Sequence, residues 1–308
     1  AGRHVYCEKE MSHSLSLARE LVKASKESGK MLQVGHQRRS SPAYRNAFRM
    51  ITDEKVCGRL TACYGQWNRP AQQKLPWPKR YELPKETLAK YGYESMDRFM
   101  NWRWYRKFSA GPIADLGSHQ IDIFSWFLGS EPESVLASGS TDYYPDREWY
   151  SDVLAIYEYR PAQGSARAVY QVLNTSSFGS YYERFHGDAG TLCISENAAQ
   201  CYFVPEAERE LPAWLTSVPT VERGGVQVIP FLDALTKKNA QAASEMAAYG
   251  EKNAHQFHLE NFFESVRAND PGHLTCPADV AYATAVAVLN VIPAIEQGAK
   301  IKISENAS

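Results

Sequence analysis

The 308-residue sequence has 19 glycines, yet no two of them are spaced G-x-G. A complete G-x-G-x-x-G dinucleotide fingerprint is therefore missing from this chain, and no Walker A loop is present either. Its six cysteines, Cys7, Cys57, Cys63, Cys193, Cys201 and Cys276, form no C-x-x-C pair. Their spacings match no zinc ribbon or finger. Scattered this way they read as buried free thiols, and the default compartment is a reducing cytoplasm. An excess of charge is also lacking: 34 Lys plus Arg stand against 35 Asp plus Glu, a net charge of −1. Such a balance leaves no basic footprint and argues against nucleic acid as a partner. Long apolar runs are few. The longest, 281–295, carries Tyr282, Thr284 and Asn290 and reads as too short to cross a bilayer, so no membrane contact is expected. No signal-peptide core opens the chain.

What is there is the composition of an ordinary globular protein, 44% apolar and 22% charged. The length predicts about two domains. Residues 4–7 read as a short buried strand. A helix follows, with Ser12 as N-cap, Leu15, Ala18, Leu21 and Val22 at helical spacing, and Gly29 as the stop. A second buried strand covers 31–35. Strand, helix and strand make one βαβ unit, the building block of parallel sheets. One unit alone leaves its edges open, so it reads as the last piece of a larger α/β domain.

Further along, Pro42 opens a helix to about residue 53, and 59–68 alternates as a strand. Residues 69–90 are rich in Pro and Lys and read as a long loop. Pro112 opens a helix that Gly129 closes. Short strands follow at 134–141, 152–159, 166–173, 181–186, 191–195 and 200–204, predicting an antiparallel or mixed sheet. Residues 205–250 look irregular, with helix from about 230. Helices are expected over 254–268 and 277–296, and a terminal strand over 300–303.

Three segments carry candidate chemistry. Glu8 and Lys9 follow directly on the first strand, and open α/β sheets bind ligands beyond the carboxyl ends of their strands. A lysine there can donate to a substrate oxygen; the plain alternative is a surface Glu–Lys pair where a helix begins. Asp115, His119 and Asp122 lie at i, i+4 and i+7, hence on one helix face, opposite Ile113, Leu116, Ile121 and Phe124. A histidine one turn from a carboxylate suits general acid/base work, and its imidazole is expected to titrate near neutral pH. Packing or capping is the alternative. A metal site is a weaker rival, since no third ligand stands at a telling distance. Finally, Asn101, Trp102, Arg103, Trp104 and Tyr105 put two Trp, one Tyr and one Arg in five residues, able to cover a flat ring and hold an anion, or to anchor a core.

Together these segments resemble the Gfo/Idh/MocA family of nicotinamide-dependent sugar oxidoreductases. That family ends its Rossmann domain with G-K-H-V-x-x-E-K-P; here Gly2 to Glu10 reads G-R-H-V-Y-C-E-K-E. The family then has W-R, six residues, G-G-G and D-x-G-x-H. Here Trp102 and Arg103 are followed by six residues, by Ala110, Gly111 and Pro112, and by Asp115, Gly117 and His119. Glu10 departs from the family proline, and Ala110 and Pro112 depart from glycines.

The resemblance implies an α/β plus α+β fold. Residues 1–39 would be the C-terminal part of a dinucleotide-binding Rossmann domain whose N-terminal part is absent. Residues 40–308 would be a substrate-binding and oligomerisation domain with a large, mostly antiparallel sheet. It implies catalytic roles for Lys9, Asp115 and His119. Glu8, Lys9, Gln37, Trp102 and Arg103 would meet the cofactor, NAD or NADP. Arg38, Tyr105, Asp115 and His258 would meet a sugar or glycoside, with no metal. The implied reaction is hydride transfer from a hydroxyl-bearing carbon. Alternatives are NAD-assisted glycoside cleavage on the same fold, or a truncated chain that serves assembly. A homodimer or homotetramer through the sheet is expected.

Overall fold

The computed structural model describes residues 2–206 and 209–303. At the N-terminus, β1 (Val5–Cys7) pairs in parallel with β2 (Leu32–Val34), and α1 (Leu15–Ser28) connects them. Helix α1 starts two residues later than expected. Ser14 is its N-cap, while Ser12 Oγ accepts the Ser14 N–H at 3.2 Å. Gly29 ends it in the left-handed conformation at φ 62°, as glycine readily does. Ala18 is buried and Leu21 stays exposed.

Helix α2 (Pro42–Thr52) leads into β3 (Leu60–Asn68). The loop that follows carries two short helices, α3 (Lys85–Lys90) and α4 (Met96–Met100), and a 3-10 turn at Trp102–Trp104. Then come α5 (Ser118–Leu128), β4 (Pro132–Ser140), β5 (Asp152–Tyr159), β6 (Ala166–Leu173), β7 (Tyr181–Gly187), β8 (Gly190–Ile194) and β9 (Tyr202–Pro205). Residues 205–250 are less irregular than expected. They hold a hairpin, β10 (Val221–Arg223) and β11 (Val226–Val228), turned by Gly224 and Gly225, both at positive φ. Two positive φ values in a two-residue loop match the strand twist. Helices α6 (Phe231–Leu235), α7 (Ala240–Glu251), α8 (Ala254–Ala268), α9 (Ala278–Leu289) and α10 (Val291–Gln297) precede β12 (Ile301–Lys302).

One eight-stranded sheet, ordered β12-β4-β5-β6-β3-β7-β8-β9, dominates. Its pairings are antiparallel except β3 with β6. On β5 the side chains alternate: Val153, Ala155 and Tyr157 enter the core while Leu154 and Ile156 face outward. Helix α5 lies on the inner face, where Phe124 and Phe127 meet Phe185. A separate small core joins Met11, Ala18, Leu32 and Val34 to Cys276, Ala281 and Ala285, so the βαβ unit rests on α9. The six cysteines are free thiols, five of them buried and Cys7 half-buried.

The helical run Ala278–Gln297 has the 20 residues expected for a helix over 277–296, and, although its apolar stretch 281–295 reads as too short, by length and composition the run suffices to cross a membrane. Half of its most apolar window is buried inside the fold. It is also not one helix. Pro293 has no N–H to donate to Leu289, and the chain divides at Asn290 into α9 and α10.

Candidate active site

Register brings distant residues to one sheet end. In the parallel pair, Asn68 of β3 stands beside Leu173 of β6, and Leu173 stands opposite Asp152 of β5. The next residues, Arg69, Asn174 and Ser151, therefore emerge together. Arg69 N–H donates to the Leu173 carbonyl at 3.0 Å, and Asn174 N–H to that of Ser151 at 3.1 Å. They line a cavity of about 390 Å³ with Lys9, Arg103, Asp115, His119, Arg147 and Trp149. A second cavity of about 220 Å³ adjoins it and is lined by Glu10, Trp102, Ser109 and Ala110, among others. Lys9, Arg103 and Asp115 line both.

Lys9 reaches this junction because β1 ends just before it. Its ammonium donates to the Asp115 backbone carbonyl and lies 3.6 Å from Asp115 Oδ1. Burial lowers its pKa, opposed by the Asp115 and Glu10 carboxylates. Two more cations attend Asp115: Arg103 Nε is 3.4 Å from Oδ1, and Arg69 Nη2 is 3.6 Å from Oδ2. The peptide bond between Lys9 and Glu10 is cis. Glu10 Oε1 accepts the Met11 N–H, while Oε2 is buried without a partner. Burial pushes this carboxyl up to about 8.

The expected regular helix face is corrected. Residues Ile113–Gly117 form a π-helical turn, wider than an α turn, ahead of α5. Asp115 thereby faces the cations rather than His119, with which it makes no hydrogen bond. Asp122 is likewise spent elsewhere. It takes a bidentate pair from Arg39 at 2.8–2.9 Å and a hydrogen bond from Thr284 at 2.8 Å. His119 stacks on Trp67, its Nδ1 buried and unpartnered. Burial first, then Lys9 and Arg38, hold its pKa well below the ordinary 6.5. The imidazole is neutral at pH 7, and not poised near neutrality as its residue type predicted.

Gly111 opens this turn at φ 75°. A Cβ there would lie 2.8 Å from Trp149 Cγ, so glycine lets the indole close the cavity wall.

Other expected site residues stand back. Arg38 is buried in an ion pair with Glu183 and lies 3.4 Å from Glu196, because its charge needs a partner in the core. Tyr105 donates its hydroxyl to Asp97 at 2.6 Å and packs under Arg98, so it braces the loop. His258 is fully buried. Its Nε2 donates to the Val34 carbonyl at 2.8 Å and its Nδ1 meets Ser40 Oγ at 2.7 Å, tying α8 to β2. Burial pushes it down to about 4. Gln37 donates to Glu196, and Glu8 stands exposed against Gly35. None of these five lines either cavity. Trp104 of the expected aromatic segment does line the larger cavity. Arg69, Arg147, Trp149 and Asn174 were missed by sequence reasoning. Their only signal is a position just beyond a strand end or inside an aromatic loop. Among the described residues no group of three or more His, Cys, Asp or Glu gathers to hold a metal.

Residues 45–193 match the family model of the GFO/IDH/MocA C-terminal domain, so the resemblance read from the motifs holds. The chain is 30% identical over 146 residues to "Putative oxidoreductase YteT" of Bacillus subtilis strain 168, covering 47% of this chain and 29% of that protein. It is 26% identical over 178 residues to the scyllo-inositol 2-dehydrogenase (NAD(+)) of the same organism, covering 58% of this chain and 44% of that one. The matched stretch thus spans less than half the length of these two relatives. A solved levoglucosan dehydrogenase, in complex with NADH and levoglucosan, shares the fold with TM-score 0.65 at 15% identity, over 99% of this chain and 75% of that chain.

Proposed function

Since this chain carries the C-terminal domain of the Gfo/Idh/MocA oxidoreductases over residues 45–193, we propose that the protein moves a hydride between a sugar or polyol carbon and a nicotinamide dinucleotide. The carrying observation is that Lys9, Asp115 and His119 line one cavity, and that Lys9 and Asp115 also line the one adjoining it. In this reading the larger cavity takes the polyol. The smaller one suits a nicotinamide: it offers the flat indole of Trp102, and the buried, unpartnered Glu10 Oε2 is part of its lining residue. Trp102, Arg103 and Lys9 would hold that group, which when bound supplies the hydride acceptor.

The chain's own residues do the rest. His119, kept neutral by burial, takes the hydroxyl proton at its imidazole. Lys9 donates toward the developing alkoxide. Asp115 holds Lys9, Arg69 and Arg103 in place. Residues 1–39 then belong to the dinucleotide-binding part and residues 40–308 to the substrate part. Assembly through the outer sheet face fits its exposed Leu136, Leu154 and Ile156, and light scattering reads the resulting dimer or tetramer.

The test uses the full gene product with NAD(+) and NADP(+) and a panel of sugars and polyols, followed by absorbance of the reduced cofactor. Reduction by at least one polyol is expected. No reduction and no dinucleotide binding sinks the reading. Product formed without net reduction moves it to redox-assisted glycoside cleavage.

A further inference from the structure

The larger cavity is charged beyond what a neutral polyol calls for. Four cations line it, Lys9, Arg69, Arg103 and Arg147, and Asp115 is its one lining carboxylate. Lys9, Arg69 and Arg103 share that carboxylate within 4 Å. Arg147 makes no ion pair among the described residues. It donates to the Gln72 backbone carbonyl, and its guanidinium carbon lies 3.6 and 3.4 Å from the ring centres of Trp104 and Tyr144. Its Nε is buried with no acceptor. A second donor in the same wall, Trp149 Nε1, is also buried with no acceptor, on a side chain only 7% exposed. Arg69 is fixed by Asn174 Oδ1 at 2.7 Å, and the Arg147 pKa is lowered chiefly by burial, with the Arg69 charge a smaller contribution in the same direction. Two guanidinium groups lining one cavity, with two unmet donors on its wall residues and a single carboxylate shared among three cations, favour a further anion there.

We propose that the substrate is an acidic polyol, a sugar carrying a carboxylate such as a uronic acid, and that Arg147 and Arg69 take up its acid group. The inference rests on the oxidoreductase reading for the reacting hydroxyl. Guanidinium is the suited partner, because its planar fork meets both carboxylate oxygens. Trp149 Nε1–H adds a third donor. Asp115 and His119, which line the same cavity, are left for the hydroxyl end. A neutral sugar's hydroxyl oxygens can accept from these donors but leave the surplus positive charge unmet.

The experiment is calorimetric titration of the full gene product with sodium galacturonate and sodium glucuronate, each against galactose and glucose, with and without NAD(+). At least one acid is expected to bind about tenfold or more tighter than its neutral counterpart. The advantage shrinks as salt rises from roughly 50 to 500 mM. Arg147→Gln removes most of it, and Arg69→Gln does so independently should the first variant fold poorly. Arg147→Lys keeps the charge, loses the fork and recovers only part. Equal or tighter binding of the neutral sugars overturns the proposal, and so does binding of neither class. The two readings fail apart. Turnover of neutral polyols with no affinity for the acids keeps the oxidoreductase and discards the acidic substrate. Acid-selective binding without hydride transfer from any polyol does the reverse.

Discussion

Lys9 and Asp115 are 106 residues apart, yet the Lys9 ammonium donates to the Asp115 backbone carbonyl and lies 3.6 Å from its carboxylate. One residue thus offers a fixed dipole and a charge to the same cation. The two respond differently to substitution. Asp115→Asn keeps the backbone contact and removes the charge that Lys9, Arg69 and Arg103 share. Polyol turnover is expected to fall by about a hundredfold or more, mostly in kcat, because misplaced donors weaken transition-state stabilisation. Thermal stability should fall modestly: the Arg69 and Arg103 pairs are partly exposed and worth under about 1 kcal/mol each, whereas the largely buried Lys9 loses a compensating charge. Steady-state kinetics and a melting curve read both.

His119→Asn should cost roughly 10²–10⁴ in hydride transfer, the usual worth of a general base, with dinucleotide binding retained. The wild-type rate should hold from pH 7 down past 6.5, because burial keeps the imidazole unprotonated below its ordinary range. The acid limb that finally appears belongs to His119 and disappears in the variant. A wild-type limb centred at or above 6.5 would count against this base.

His258 ties stability to pH. Its native pKa is about 4 against an ordinary 6.5, with burial as the main cause. Between those values the unfolded chain binds the proton and the native chain does not. Its contribution is therefore complete above pH 6.5 and is lost as pH falls toward 4. The loss amounts to at most about 3 kcal/mol. Denaturant titrations across that window should show the wild type losing more stability than His258→Gln, even though the variant starts lower for want of the Val34 and Ser40 contacts.

Gly111→Ala places a side chain at φ 75° and a Cβ 2.8 Å from Trp149 Cγ. The backbone strain alone costs of order 1–3 kcal/mol, and the indole has to shift as well. Lowered unfolding stability with a raised KM is expected, since Trp149 walls the larger cavity. Gly129→Ala is the control: also at positive φ, but with nothing within 4 Å of the added Cβ. It should lose stability and keep KM.

Much of the fold was legible without coordinates. The strands expected at 152–159 and 166–173 occur at Asp152–Tyr159 and Ala166–Leu173, because alternation and turn residues are local signals. The order of the E-K, W-R and D-x-G-x-H segments carried the family. Roles were harder. The resemblance put His258 and Arg38 at the substrate, but both are buried, and the partners that burial demands lie on other strands and helices.

By itself the sequence determined most of the strands and long helices, which follow from local periodicity and turn residues, and the ordered motifs that carry the resemblance, which in turn implies the candidates Lys9, Asp115 and His119. Only the tertiary structure decided which of them meet. A π turn re-aims Asp115 from His119 to three cations. Strand register delivers Arg69, Ser151 and Asn174 to one wall. Burial sets His119 neutral. The missing G-x-G keeps its meaning throughout: phosphate-cradling loops are local motifs that a sequence shows directly, whereas a cavity with surplus positive charge exists only once distant segments pack together.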